Sequence, residues 1–421
     1  MAAEDISQLI DDKEILEPKT GVGVEGDAFW SRPREMLELV SRLESGASAS
    51  LFGLRRIGKS SIMKEAARHL RTKGHTCIFL NTEGMSGPGR LLVDLVRGLE
   101  PSLRDKVSTA WANNGSLTGA LKKVAGVLKN EPVDTANIEK EFRDFWEPLT
   151  QTVERQLKDS DTKVFVFIDE LPFFLSDQIE KGVTKQSIID ILATLRRWRQ
   201  DSNIMAQVLC GSIGMAGFLR LHDIDRDHNN DAPGIYVGPL NEEEANKFLD
   251  AVAKGHPIEG WSENIRNAVI EEAVEFYPSY LQEVLLLLKT EALLAKHQNG
   301  EVTDELLITK LHDSVMPKIR KGFEVELLNQ FDKRLARLES FDKSWSDVAL
   351  SVLRNIQKDG VITRASLEEQ LADAEIAGKA AVDFSEILSE DAFVAENEDG
   401  NYTFGDRIIE IWLNRRHGEP K

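Results

Sequence analysis

Between residues 48 and 237 short apolar runs alternate with amphipathic stretches. Beyond residue 241 a helical periodicity takes over. The runs at 48–52, 76–81, 163–169, 204–210 and 234–237 predict strands, and the continuous apolar character of 164–168 suits a central strand covered on both faces. Helical spacing first appears after Arg32, where Met36, Leu37, Val40 and Leu43 fall on one face. Further helices are predicted at 59–71, through most of 88–158, and at 188–200 with Ser187 as the cap. Strands separated by helices predict a parallel sheet with helices packed on its faces.

From 241 to about 321 the pattern is helical throughout, and Asn241 followed by Glu242, Glu243 and Glu244 reads as a helix start with acids at the positive end of the dipole. A third pattern begins after Phe341. Helices are predicted at 345–357, at 366–372 behind a Thr363 cap, at 376–389, and finally at 406–416. Two β-like pieces, 392–396 and 402–404, flank the turn signal Asp399-Gly400. Three helices and a hairpin predict a winged helix. The chain therefore divides into a lead-in at 1–30 with Gly21, Gly23 and Gly26 as turn points, an α/β core at 31–240, a helical lid at 241–340 and a winged-helix domain at 341–421.

Composition fits this picture and narrows the function. Of 421 residues, 41% are hydrophobic and 29% charged, which suits two or three globular domains rather than a disordered chain. The formal net charge is −19, which lowers the expectation that the chain coats nucleic acid by itself. The two cysteines, Cys77 and Cys210, sit in separate apolar runs and read as small buried hydrophobes of a reducing, cytoplasmic compartment. The acidic N-terminus lacks the pattern of a signal peptide, and the densest apolar run, at 284–288, is far too short to span a bilayer.

The chemistry concentrates in Gly53-Leu54-Arg55-Arg56-Ile57-Gly58-Lys59-Ser60, which matches G-x-x-x-x-G-K-[ST] between a strand and a helix. Glycines let backbone N–H groups close around phosphates. Lys59 supplies a charge to the β- and γ-phosphates, and the Ser60 hydroxyl suits Mg²⁺. Arg55, Arg56, Ile57, Gly58 and Ser61 complete the predicted nucleotide-binding set, with the following helix presenting its positive end. About a hundred residues on, the apolar strand at 163–169 ends in Asp169-Glu170. A carboxylate at a strand's C-terminal end lies where α/β sheets bind ligands, so Asp169 is the expected Mg²⁺ partner and Glu170 the base for the attacking water. Cys210-Gly211-Ser212 ends the next strand, which makes Ser212 a candidate contact to the γ-phosphate or the water. These residues predict binding and hydrolysis of ATP with Mg²⁺.

The order of P-loop, additional strand, Asp-Glu strand and polar-ended strand resembles the additional-strand P-loop ATPases, and in particular the STAND and archaeal-type branch near the AAA+ proteins. Phe29-Trp30-Ser31-Arg32-Pro33-Arg34-Glu35 is similar to the family's "F-x-G-R-x-x-E" box, with Ser31 in place of Gly. The Arg55-Arg56 pair, Cys210-Gly211-Ser212 and Gly238-Pro239-Leu240 with Glu244-Ala245 resemble its P-loop, its "GS" strand end and its approach to the lid. Tyr277-Pro278-Ser279-Tyr280-Leu281-Gln282 resembles "H-P-x-x-L-Q" with Tyr277 in place of His, and Tyr402–Phe404 with Ile411-Trp412-Leu413 resembles the winged-helix ending. The resemblance spans about 22–417 and implies an ATP-driven switch in signalling, anti-invader defence or mobile-element regulation. No arginine lies in 271–288 to serve as a lid sensor, which leaves Arg220, Arg226 or a neighbouring subunit as sources of an arginine finger.

Partners follow from charge. Residues 341–421 carry 17 acids and 9 Lys or Arg, and the helix that would read DNA holds Glu375, Asp383, Glu386 and Glu390 against Lys379. A protein partner or self-association is expected, with DNA disfavoured. The segment with Arg196, Arg197, Trp198 and Arg199 could contact a nucleic-acid backbone, although an amphipathic helix with Trp198 packed on the sheet is the simpler reading. The alternatives to the switch are a DNA-binding initiator or remodelling ATPase, and a nucleotide-bound scaffold that does not hydrolyse.

Overall fold

The computed structural model describes residues 13–19, 23–30, 32–115, 117–119, 121–122, 139–160, 163–201, 204–228 and 230–418, without the side chains of Arg226 and Asn299. The predicted lead-in up to residue 12, Ser31, and the 123–138 part of the long helical stretch lie outside these residues. Two compact units are formed. The first comprises mainly 34–51 and 62–235, the second 2–33, 52–61 and 236–421.

In the first unit, α1 (Pro33–Glu44) precedes β1 (Ala49–Phe52), and α2 (Lys59–Thr72) leads to β2 (Thr76–Asn81). Helices α3 (Pro88–Gly98), α4 (Pro101–Asn113), α5 (Glu139–Asp144) and α6 (Trp146–Lys158) then run to β3 (Val164–Asp169). After β3 come α7 (Leu171–Glu180), α8 (Lys185–Gln200), β4 (Ala206–Cys210), α9 (Met215–Leu221) and β5 (Gly234–Tyr236). The strands form one five-stranded sheet in the order β2-β3-β4-β1-β5. The β2–β3, β3–β4 and β4–β1 pairs are all parallel. Every residue of β3 and β4 is buried, whereas β2 alternates between buried and partly exposed positions as an edge strand does. Val166, Ile168, Leu175, Leu192, Trp198 and Leu209 belong to the continuous core on which the sheet rests.

Several boundaries differ from the expected ones. Helix α8 starts at Lys185, because Thr184 Oγ1, not Ser187, accepts the capping N–H, donated by Ser187 itself. On α1 the buried positions are Met36, Leu39, Val40 and Leu43, while Leu37 is half-exposed. Trp198 packs in the core. Its neighbours Arg197 and Arg199 pair with Glu154 at 3.0 Å and Asp231 at 2.9 Å. Those two arginines are thus engaged inside the unit rather than offered as a basic patch.

In the second unit, α10 (Glu242–Gly255) begins in a full capping box between Asn241 and Glu244. It is followed by α11 (Glu263–Glu272), α12 (Pro278–Asn299) and α13 (Asp304–Lys310). Helical backbone continues from there through α14 (Met316–Ile319) and α15 (Val325–Phe341), with π-helical turns at Leu311–Val315 and Arg320–Glu324. The C-terminal module holds α16 (Lys343–Asp359), α17 (Arg364–Asp373), α18 (Lys379–Glu390), the antiparallel strands β6 (Val394–Glu396) and β7 (Tyr402–Phe404), and α19 (Ile408–His417). Thr363 caps α17. Trp412 of α19 stacks near Phe331 of α15 and Phe393, and its Nε1–H donates to Asp332 at 2.8 Å, which seats α19 on α15. Asp383, expected on the exposed acidic face of α18, is buried. Cys77 and Cys210 form no disulfide, and burial pushes the Cys77 thiol up to about 12, so it behaves as a hydrophobe. Among the described residues no helix is long and apolar enough to cross a membrane.

Candidate nucleotide site

The glycine loop follows β1 and ends in the first turn of α2. Gly53 has φ +143°, and a Cβ there would lie 2.4 Å from the Val237 carbonyl oxygen, so the loop can turn at this point only on glycine. Gly58 has φ +112° and open space where a side chain would stand. Arg56 adopts a left-handed conformation at φ 66°, uncommon for a residue with a side chain and of the kind that persists where surrounding structure enforces it. Leu54 and Ile57 are buried and anchor the loop, leaving Arg55 and Arg56 exposed.

Three polar ties hold the loop in shape. Lys59 Nζ donates to the Gly53 and Leu54 carbonyls at 3.1 and 3.0 Å, which keeps a buried ammonium at the centre of the loop. Arg32, from the upstream box, is buried and forks between the Ile57 carbonyl at 3.1 Å and the Gly238 carbonyl at 2.9 Å. Ser61 Oγ accepts the Val24 N–H at 3.1 Å. A glycine loop that closes on a lysine at a helix start suits an oxyanion rather than an apolar group.

The loop is also clamped to the helices C-terminal to it. The Arg56 guanidinium pairs with Glu326 of α15 at 3.0 Å and lies over the Phe323 ring at 5.7 Å. The Arg56 carbonyl accepts the Ser279 hydroxyl of α12 at 2.8 Å, and the Arg55 N–H donates to Gln330 Oε1 at 3.2 Å. Glu326 and Gln330 are four residues apart and share one face of α15. Phe323 lies in the π-helical turn at Arg320–Glu324 that leads into α15.

In the first unit, the C-terminal ends of β3 and β4 bring two other predicted residues together. Glu170 Oε2 accepts both the Ser212 N–H at 2.9 Å and the Ser212 hydroxyl at 2.8 Å. Glu170 is left-handed at φ 60° and opens α7, whose Pro172 suits a helix start. Such strain in a non-glycine residue marks a position held for its side chain. Asp169 is buried, and its carbonyl accepts both the N–H and the hydroxyl of Thr82 at 3.1 and 2.7 Å. Thr82, just past β2, thereby sets the end of β3, a role with no signature in the sequence. The P-loop belongs to one compact unit and the Asp169–Glu170 pair to the other. Arg220 stands in the last turn of α9, and the Arg226 side chain lies outside the described residues.

Tyr277 donates its hydroxyl to Asp406 Oδ2. Asp406 also accepts the Ile408 N–H at 3.0 Å, and nearby Glu275 accepts the Arg407 N–H at 3.1 Å. Burial, then the neighbouring Glu275 charge, push the Asp406 carboxyl up to about 8. Sequence reasoning missed this buried pair because its members are more than a hundred residues apart. It missed the Glu326 and Gln330 clamp for the same reason.

Neither a known protein family nor a curated protein matches the sequence. Among solved structures, the chain is similar to the Walker-type ATPase PABY2304 of Pyrococcus abyssi, with a TM-score of 0.50 and 16% identity over 95% of this chain and 99% of that one. It is also similar to the ADP form of the ORC2 protein of Aeropyrum pernix, with a TM-score of 0.46 and 13% identity over 97% of each chain. A third is the Holliday junction branch migration motor RuvB of Thermotoga maritima, with a TM-score of 0.40 and 12% identity over 96% and 99%. The first likeness covers almost the whole of both chains, and with the parallel sheet and the glycine loop between β1 and α2 it establishes the fold as that of a Walker-type P-loop ATPase.

Proposed function

We propose that the protein is an ATP-binding and ATP-hydrolysing switch whose nucleotide state is passed to its C-terminal, winged-helix-like module and from there to a protein partner or a second copy. Lys59 and the loop N–H groups hold the phosphates. Ser60 and Asp169 are the residues that would hold Mg²⁺, and their hydroxyl and carboxylate oxygens suit a hard cation that keeps most of its waters. Bound there, the ion would offset charge on the β- and γ-phosphates. Glu170 takes the water's proton, and Ser212 orients the Glu170 carboxylate. Arg55 and Arg56 report the state of the loop.

The observation that carries the coupling is the clamp on the loop. Arg56 and the Arg55 N–H are bonded to Glu326 and Gln330 of α15, the same helix that seats α19 through Trp412 and Asp332. A phosphate drawing on the loop's N–H groups and guanidinium competes with those bonds, so occupancy and the hold on α15 are linked. A protein partner is favoured over DNA because the basic cluster of α19 is already engaged. Arg415 lies 3.6 Å from Glu324, and Arg416 lies 3.2 Å from Asp332.

Two variants test the reading. Lys59→Ala should abolish the thermal stabilisation produced by ATP, and an undiminished shift would remove the phosphate site from the loop. Glu170→Gln should bind ATP as the parent does and lose turnover. Equal turnover would assign the base elsewhere, and absent turnover in the parent would favour the scaffold reading. Stimulation of the parent by duplex DNA, steeply weakened by salt, would favour an initiator.

A further inference from the structure

The end of β3 is held from both sides. The β2–β3 register sets Asn81 opposite Asp169, and the next bond of the ladder runs from the Thr82 N–H to the Asp169 carbonyl at 3.1 Å. Any residue but proline could give that bond. Thr82 adds a second one from its hydroxyl, at 2.7 Å, to the same oxygen. One residue thus supplies two donors to a carbonyl that has two lone pairs. Thr82 is fully buried, so water does not compete for its hydroxyl. It is itself fixed in a turn, since its carbonyl accepts the Met85 N–H at 3.1 Å and Gly84 turns at φ +75°.

What the Asp169 carbonyl controls is the next residue. That carbonyl belongs to the planar peptide unit joining Asp169 to Glu170, so the direction of its oxygen fixes the plane from which Glu170 hangs. Glu170 is left-handed at φ 60°, a conformation that persists in a residue with a side chain where its surroundings enforce it. A swing of the carbonyl would rotate φ at Glu170 and carry its side chain away from β4. On that side the carboxylate is received by the Ser212 N–H and hydroxyl at 2.9 and 2.8 Å. The ends of β4 and β3 approach so closely there that a Cβ at Gly211 would lie 2.8 Å from Pro172 Cδ. Thr82 therefore holds the backbone of the strained junction, and Ser212 holds its side chain.

We infer that Thr82 is a positioning residue for hydrolysis, its hydroxyl acting through the Asp169 carbonyl to aim the Glu170 carboxylate. The inference rests on the reading of Glu170 as the base. Its effect is one of geometry, and a displacement of about 1 Å can cost a reaction roughly 10²-fold in rate. The Thr82 bonds run to the Asp169 backbone, so ATP affinity should be little changed.

Thr82→Val keeps the shape and the N–H bond and removes the hydroxyl. Thr82→Ala removes the hydroxyl and part of the packing, and Thr82→Ser keeps the hydroxyl. Turnover and ATP affinity are measured on the full chain for all three, beside Glu170→Gln. Thr82→Val and Thr82→Ala should lower kcat alike, by about tenfold, with the Kd for ATP within about twofold. Thr82→Ser should stay within about threefold of the parent. A crystal structure of Thr82→Val should show the Glu170–Ser212 bonds broken. The inference is overturned if Thr82→Val turns over as the parent does while Glu170→Gln does not. It is also overturned if Thr82→Ala alone is slow, which would mean packing, or if Glu170 keeps its place in the Thr82→Val structure. Parent-like turnover in Glu170→Gln would instead remove the base reading, and the positioning role with it.

Discussion

The clamp between the P-loop and α15 should restrain nucleotide binding, and its strength can be worked from its parts. Arg56 and Glu326 are 52% and 46% exposed, so their pair contributes about 0.2–1 kcal/mol. The hydrogen bond from the Arg55 N–H to Gln330 adds roughly 0.5–1.5 kcal/mol. If a bound triphosphate draws on the same two arginines, the double variant Glu326→Ala with Gln330→Ala removes about 0.7–2.5 kcal/mol of competing contacts. At ~1.4 kcal/mol per tenfold, ATP affinity should rise roughly three- to sixty-fold. Ser279 and Phe323 still touch Arg56, so the lower half of that range is the expected outcome. The assay is titration with a fluorescent ATP analogue at low and high salt. The Glu326 share should shrink as salt rises, because exposed pairs are screened. An unchanged Kd in the double variant, or a Kd that worsens, would refute competition and leave the clamp a mere packing contact.

Other outcomes can be checked alongside. Gly53→Ala should lower stability by several kcal/mol, read as a drop in thermal midpoint, because its Cβ would meet the Val237 carbonyl 2.4 Å away. Ser212→Ala should lower turnover with ATP affinity unchanged, since it removes the hydroxyl donor from Glu170 while the Ser212 N–H remains. A rise in KM alone would count against that role. Asp406 titrates near 8 in the folded chain and in the ordinary carboxylate range when unfolded, so the folded state holds the extra proton. Its contribution to stability is therefore present in full below about pH 4 and is lost as pH rises towards 8. Asp406→Asn should flatten that part of the pH–stability curve in denaturant titrations, and an unaltered slope would mean that other groups set it.

Much of the fold could be read along the chain because its signals are local. The runs at 76–81 and 163–169 announce strands through their apolar side chains, and the structure forms both, with β3 buried throughout and β2, at the sheet edge, alternating between buried and partly exposed positions. Asn241 and Thr363 announce helix starts because a cap acts only on the next turn. Where two local signals compete, the reading slips. Ser187 and Thr184 are both able to cap, and only the backbone decides that Thr184 does. Asp383 is polar in sequence yet buried in α18, since a charge pattern does not say which face a helix turns inward.

The phosphate loop is a contiguous device, with its glycines, lysine and serine fixed in order by the shape of an anion. The sequence by itself therefore determined the loop, the acidic end of β3 and the α/β class. What tertiary structure decided are pairings across long stretches of chain: Glu170 with Ser212, Arg32 with Ile57 and Gly238, Arg56 with Glu326, and Tyr277 with Asp406. The physical reason is that hydrogen bonds and ion pairs depend on distance and angle between atoms. Separations of 25 to 270 residues leave both undefined until the sheet and helices have packed.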